Sequence, residues 1–241
     1  MNPQPIHFIS EGSAFVFPHP FSADENGLLA IGGDLHPERI ILAYRFGIFP
    51  WYSSDQPILW WAPRERFVLN PNRIHVAKSM RKYLNNPIFK FTTDQYFEYV
   101  IDRCQNIQRP HQEGTWITPE LKKAYIQLHR QGIAHSIEIW QKNEIVGGLY
   151  GMGIGRIFSG ESMFSEVSNA SKYAAIVLAH VLRRKNYTLI DAQHHSPHIE
   201  RLGGYSLSNF DYFGHLRNNL RISIDTRRWP YQTPIWQPIK R

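Results

Sequence analysis

Two polar islands, each set at the end of an apolar run, constrain this chain more than any other feature. Gly160-Glu161-Ser162-Met163-Phe164-Ser165 follows the run 156–159, and Asp191-Ala192-Gln193-His194 ends the run 188–191. Between them, 169–185 has helical spacing of apolar residues, Ser168 as a candidate N-cap, and Arg183-Arg184-Lys185 where positive charge suits the end of a helix. Strand, helix, strand therefore brings Glu161, Asp191 and Gln193 together. Ionised groups at the ends of buried strands are costly unless paired or used, so the cluster marks a working site and points to an enzyme.

The pattern around this unit is α/β. Strands are predicted at 66–69 and 88–93, with helices at 76–84 and 96–104. Thr118 and Pro119 open a helix that Gly132 closes. Alternation over 134–140 and 145–150, separated by Gln141-Lys142-Asn143-Glu144, reads as a hairpin. Hairpin, strand, helix, strand is the order of acyltransferase sheets of the GNAT type. The first seventy residues differ, with Pro, Gly and Trp punctuating short apolar pieces; a helix over 37–46 starts there, with Asp34 or His36 at its cap. The expectation is a small irregular N-terminal domain, 1–66, beside a catalytic domain, 67–241, with a mixed central sheet. Trp51, Tyr52, Trp60 and Trp61 serve either inter-domain packing or a stacking surface.

A net charge of +7 over 241 residues favours a polyanionic partner such as nucleic acid. No apolar run approaches the ~18 residues of a spanning helix, and the Pro-broken start 1–12 lacks signal-peptide design. Cys104, the sole cysteine, permits no internal disulfide, so a reducing, cytoplasmic setting is expected. Lys78, Arg81 and Lys82 stand at i, i+3 and i+4 of a predicted helix and form a basic ridge, with Arg64, Arg66 and Arg73 near in sequence; this suits phosphate contact.

Two superficial signals are weaker. The run Gly147-Gly148-Leu149-Tyr150-Gly151-Met152-Gly153-Ile154-Gly155 precedes a strand, whereas phosphate loops lead into a helix N-terminus, so its glycines are read as serving a tight turn and close backbone approach. His194, His195 and His198 beside Asp191 match no established zinc spacing, and no metal is expected.

With these residues in view, the chain resembles the leucyl/phenylalanyl-tRNA–protein transferases over almost its whole length. The resemblance rests on Gly27-Leu28-Leu29-Ala30-Ile31-Gly32-Gly33-Asp34-Leu35, Gly47-Ile48-Phe49-Pro50-Trp51, Ile58-Leu59-Trp60-Trp61, Glu113-Gly114-Thr115-Trp116-Ile117-Thr118, His135-Ser136-Ile137-Glu138, both polar islands and Asn169-Ala170-Ser171-Lys172. It implies transfer of Leu or Phe, less readily Met, from aminoacyl-tRNA to proteins with N-terminal Arg or Lys, which the degradation machinery then removes. It implies no coenzyme A, ATP or metal. By resemblance Asp191 orients and polarises Gln193, which positions the reacting amine or carbonyl, and Glu161 binds the cationic acceptor N-terminus. Leu149, Phe158, Met163 and Ile190 are candidates for the apolar amino-acid pocket, with Trp51 and Trp116 flanking the terminal adenosine. The histidine-rich stretch after Gln193 and Arg201-Leu202-Gly203, where Ser-Leu-Gly is common, depart from the family pattern. A coenzyme A-dependent N-acetyltransferase and a non-catalytic RNA-binding protein are the rival readings.

Overall fold

The computed structural model describes residues 6–86, 88–107, 115–219 and 221–231. Glu113 and Gly114 of the Glu113–Thr118 motif lie outside the described residues. The N-terminal part is more regular than its punctuated sequence suggests. Short strands β1 (His7–Ile9), β2 (Leu28–Gly32), β3 (Phe49–Pro50) and β4 (Leu59–Trp61) form a sheet in the order β1-β2-β4-β3, with helix α1 (Pro37–Arg45) between β2 and β3. Strands this brief leave little periodicity in the sequence. His36 is the N-cap of α1, its Nδ1 accepting from the Glu38 amide at 3.3 Å, while Asp34 pairs with the buried Arg39.

A seven-stranded sheet follows in the order β11-β5-β10-β9-β8-β7-β6. Its members are β5 (Glu65–Leu69), β6 (Lys90–Thr93), β7 (Ala134–Gln141), β8 (Glu144–Ile154), β9 (Ile157–Ser165), β10 (Leu189–Asp191) and β11 (Tyr205–Ser208). Helices α2 (Lys78–Asn85), α3 (Phe97–Asn106), α4 (Pro119–Arg130), α5 (Ala170–Arg184), α6 (Pro197–Glu200) and α7 (Asn209–Asn219) complete the chain. The expected mixed α/β architecture is present: β7 and β8 are a hairpin, β9 follows, and α5 carries the chain to β10, which pairs parallel to β9. None of the helices among the described residues is long and apolar enough to cross a membrane.

The sheet separates two apolar cores. On one side Tyr150, Met152 and Ile154 of β8 join Val100, Leu121 and Tyr125 of α3 and α4, and the N-terminal Ile40, Ile48 and Trp60. On the other, Leu149, Phe158 and Ile190 pack with Tyr173, Ala174 and Val177 of α5. Alternation along β8 makes this division, since neighbouring residues point to opposite faces.

The glycine run serves both expected purposes, and two other local expectations are corrected. Gly147 to Gly153 lie inside β8, where side chains are excluded by close neighbours. The turn falls at Gly155, with φ +60°. β9 runs six residues beyond Ser159, so Glu161 sits within a strand rather than after one. Helix α5 starts on Asn169, which takes a left-handed φ of 71° without a side-chain capping bond, in place of the Ser168 cap.

A Cβ on Gly151 would stand 2.2 Å from the Ser159 carbonyl and 2.6 Å from the Phe158 ring. Gly151→Ala is therefore expected to lower stability by about 1–3 kcal/mol, read as a lower urea midpoint at unchanged m-value.

Candidate active site

β10 pairs with β9 only as far as Asp191 opposite Ser159. Beyond that point the next residues of both strands, Gly160–Met163 and Ala192–His195, line one cavity of about 970 Å³. Its lining includes the apolar Leu69, Leu149, Met163, Leu178 and Ile190, which belong to or pack on one core cluster, together with Trp51, Trp61, Trp116, Tyr150, Glu161 and Gln193. The open end of a splayed parallel pair supplies both backbone amides and strand-end side chains to a ligand.

Glu161 reaches this cavity because of a β-bulge. Tyr150 pairs with Ser162 and Gly151 with Gly160, which leaves Glu161 opposite no residue of β8. An unpaired strand residue is free to re-aim its side chain, and here the carboxylate turns towards the tyrosines of α1 and α4. Tyr125 donates to Glu161 Oε2 at 3.0 Å, and the Tyr44 and Tyr125 hydroxyls are 2.6 Å apart. Gln193 Nε2 donates to Glu161 Oε1 at 3.2 Å. Burial pushes the Glu161 carboxyl up to about 7, against the opposing pull of hydrogen bonds from Tyr44, Tyr125 and Gln193. Burial also raises both tyrosines well above their ordinary range, which keeps them hydrogen-bond donors at neutral pH.

Asp191 is wholly buried and does not touch the Gln193 amide group. Its Oδ1 accepts the Gln193 main-chain N–H at 2.8 Å, and Gln193 itself takes a left-handed φ of 64°. Asp191 thus orients Gln193 through the backbone, whereas the side-chain amide faces Glu161. Arg66 forks onto both Asp191 oxygens, and Tyr212 donates to Oδ2 at 2.7 Å.

Glu161, Asp191 and Gln193 are therefore brought together through Gln193, whose main-chain N–H bonds Asp191 and whose side-chain amide bonds Glu161. Trp51, 44% exposed, forms the rim and packs against Trp61 and His194 with ring centroids 5.8 and 5.3 Å away. Trp116 lines the cavity, Trp60 is core, and Tyr52 bonds Thr118, so the aromatic group divides between packing and lining. Phe158 does not line the cavity. It is fully buried and packs on Trp229, whose ring also stacks on His135 at 4.1 Å. His194 and His195 diverge, His194 towards Trp51 and His195 towards Phe67 and Glu200, while His198 lies further along the wall. No group of three potential metal-ligating side chains occurs among the described residues.

Lys78, Arg81 and Lys82 are exposed on α2, outside the cavity, while Arg66, near the ridge in sequence only, is buried. The segment leading into α2 is tied to the α6–β11 connection by the His75 amide, which donates to the Leu202 carbonyl at 2.8 Å.

With this geometry in place, the chain can be compared with known proteins. The family described as leucyl/phenylalanyl-tRNA protein transferase matches residues 68–217, and the family described as that transferase's N-terminal domain matches 33–64. The chain belongs to the leucyl/phenylalanyl-tRNA–protein transferase family. Its relatives carrying that transferase name include proteins of Flavobacterium johnsoniae, 52% identical over 84% of this chain and 95% of theirs, and Syntrophus aciditrophicus, 50% identical over 90% and 91%. The relative in Shewanella pealeana is 48% identical over 88% of this chain and 91% of its own. Among solved structures, L-PGS from Bacillus licheniformis aligns with a TM-score of 0.40 and 13% identity over 70% of this chain and 54% of that one.

Within this transferase family member, the residues missed in sequence are Arg66, Tyr44, Tyr125 and Tyr212. Tyr125 stands four residues after Leu121 and three before Leu128 on the buried face of α4. A hydroxyl on an apolar face must find a partner, and that was the available signal. No comparable signal joins Arg66 to Asp191, 125 residues away.

Because folding lifts the Glu161 carboxyl from its ordinary 4.5 to about 7, the folded state holds that proton more tightly than the unfolded chain. Wild type therefore loses stability relative to Glu161→Gln as pH rises from about 4.5 to about 7. The difference in Tm between Glu161→Gln and wild type is expected to grow from pH 5 to pH 8 in scanning calorimetry; a constant difference would contradict the raised value.

Proposed function

We propose that this enzyme transfers Leu or Phe, and less readily Met, from aminoacyl-tRNA to proteins whose N-terminal residue is Arg or Lys. The observation that carries this reading is one cavity lined by apolar side chains, by the Glu161–Gln193 pair and by Trp51 and Trp116. Leu149, Met163 and Ile190 take the Leu or Phe side chain, while Trp51 and Trp116 flank the terminal adenosine. An apolar pocket distinguishes side chains differing by a methylene by only about 1–3 kcal/mol, which suits a donor range of Leu, Phe and Met.

The aminoacyl ester is already activated, so the enzyme's work is alignment and charge stabilisation rather than formation of a covalent intermediate. Glu161 receives the cationic acceptor N-terminus, and an approaching cation favours its carboxylate form. Gln193, a neutral amide, positions the amine or carbonyl without removing a proton. Asp191 keeps Gln193 in place. A coenzyme A-dependent reaction is disfavoured by the β9–α5 connection, where Glu166 pairs with Arg103 and no glycine approaches a pyrophosphate.

The exposed ridge Lys78, Arg81 and Lys82 is assigned to tRNA phosphates, supported by the net charge of +7 and by the exposure of all three cations on α2. Residues 1–66 and 67–241 are read as N-terminal and catalytic domains, supported by the two family matches and by the two sheets, of which the larger begins with β5 at Glu65, two residues before that boundary; both parts contribute to one core. The reaction belongs in the cytoplasm with its aminoacyl-tRNA, and its products go to the degradation machinery.

Labelled Phe offered on Phe-tRNA should pass to a peptide beginning with Arg and not to one beginning with Ala. Gln193→Ala should slow single-turnover transfer by about 100-fold, the scale of a misaligned reacting group. Binding of Phe-tRNA without transfer to the Arg peptide would instead favour the RNA-binding reading. Arg81→Glu and Lys82→Glu are expected to weaken tRNA binding and to flatten the plot of log affinity against log salt by about 0.7–0.9 for each phosphate no longer neutralised; an unchanged slope would remove the ridge from the interface.

A further inference from the structure

Arg66 takes no part in the reaction described above, yet three nitrogens of its guanidinium are committed inside the protein. Nε and Nη2 face the two oxygens of Asp191, the first at 3.3 Å, while Nη1 donates to the Gly47 carbonyl at 2.6 Å. The guanidinium carbon lies 4.6 Å from the centre of the Tyr212 ring and 4.9 Å from that of Phe49. The side chain is only 3% exposed. A planar fork held at three nitrogens and between two rings has one orientation, which a flexible ammonium does not reproduce.

That orientation is passed on. The Asp191 oxygen facing Arg66 Nε also accepts the Gln193 N–H at 2.8 Å. Gln193 is left-handed, a conformation that a residue with a side chain keeps only where its surroundings impose it. Its amide then reaches Glu161 at 3.2 Å. The Tyr212 hydroxyl on the other Asp191 oxygen, at 2.7 Å, completes the hold on the carboxylate.

We propose that Arg66 is a positioning residue for aminoacyl transfer: Gly47, Phe49 and Tyr212 fix its guanidinium, which fixes Asp191, which holds the left-handed Gln193 against Glu161. The proposal rests on the transferase reading. It predicts that charge at position 66 is insufficient, because lysine has one nitrogen for contacts that arginine shares among three.

The test is single-turnover transfer of Phe from Phe-tRNA to an Arg peptide by the full chain. It compares wild type with Arg66→Lys, Tyr212→Phe, Asp191→Asn and the double variant Arg66→Lys/Asp191→Asn. Rates are taken per folded molecule, from near-UV circular dichroism, and Phe-tRNA affinity is measured separately. Arg66→Lys is expected to slow transfer at least about tenfold while the Kd for Phe-tRNA stays within about threefold, with a smaller loss for Tyr212→Phe. The double variant should be no more than about threefold slower than Asp191→Asn alone, since residues acting in series do not add their effects. A wild-type rate per folded molecule in Arg66→Lys, even with a lowered Tm, would overturn the assignment. So would full multiplication of the two losses. Failure of wild type to transfer would remove the transferase reading and the role of Arg66 with it, whereas transfer by wild type and Arg66→Lys alike would remove the role of Arg66 alone.

Discussion

The buried pair Arg66–Asp191 is the constraint around which the rest of the site is arranged. Each partner alone would be a charge in an apolar interior, and loss of either typically costs about 3–5 kcal/mol. The pair can form only if β5 lies beside β10, which the sheet order provides. The remaining guanidinium nitrogen ties in the Gly47 carbonyl, two residues before Phe49 and four before the rim residue Trp51. N-terminal segment, central sheet and α7, through Tyr212, are thereby joined at one point. The apolar core on one side of the sheet is likewise shared between the two parts, with Trp60 and Ile48 packed among Tyr125 and Phe164.

The second constraint is geometric. Glycines at 147, 148, 151 and 153 let β8 lie against its neighbours where a Cβ would collide, and the bulge beside Gly151 displaces Glu161 from the ladder. Together they turn a strand residue into a cavity residue. The tyrosine pair of α1 and α4 then supplies donors to a carboxylate that burial would otherwise keep protonated well above its ordinary range.

Legibility in the sequence follows from how far each signal reaches. The hairpin 134–150, helix α4 with its Thr118 cap and Pro119 start, and the strand–helix–strand unit carrying Glu161 and Gln193 were all readable, because periodicity and capping act within a turn or two of chain. The short N-terminal strands were not, since three residues carry almost no periodicity. Phe158, a candidate for the apolar pocket, instead packs in the core on the α5 side of the sheet and against Trp229, a contact between segments about seventy residues apart.

The sequence by itself determined the α/β order, the family, the basic charge and the residue types that converge on the cavity, all of which depend on local pattern or on motif text. Only the tertiary structure decided their partners. Arg66 reads as a cation near the basic ridge in sequence until β5, placed against β10, pairs it with Asp191, 125 residues away, and the way in which Asp191 orients Gln193 is open until the backbone turn shows its oxygen on the main-chain N–H. Such pairings depend on strand order, register and a single extra residue in a ladder, and those are properties of distant segments packed together rather than of any one segment.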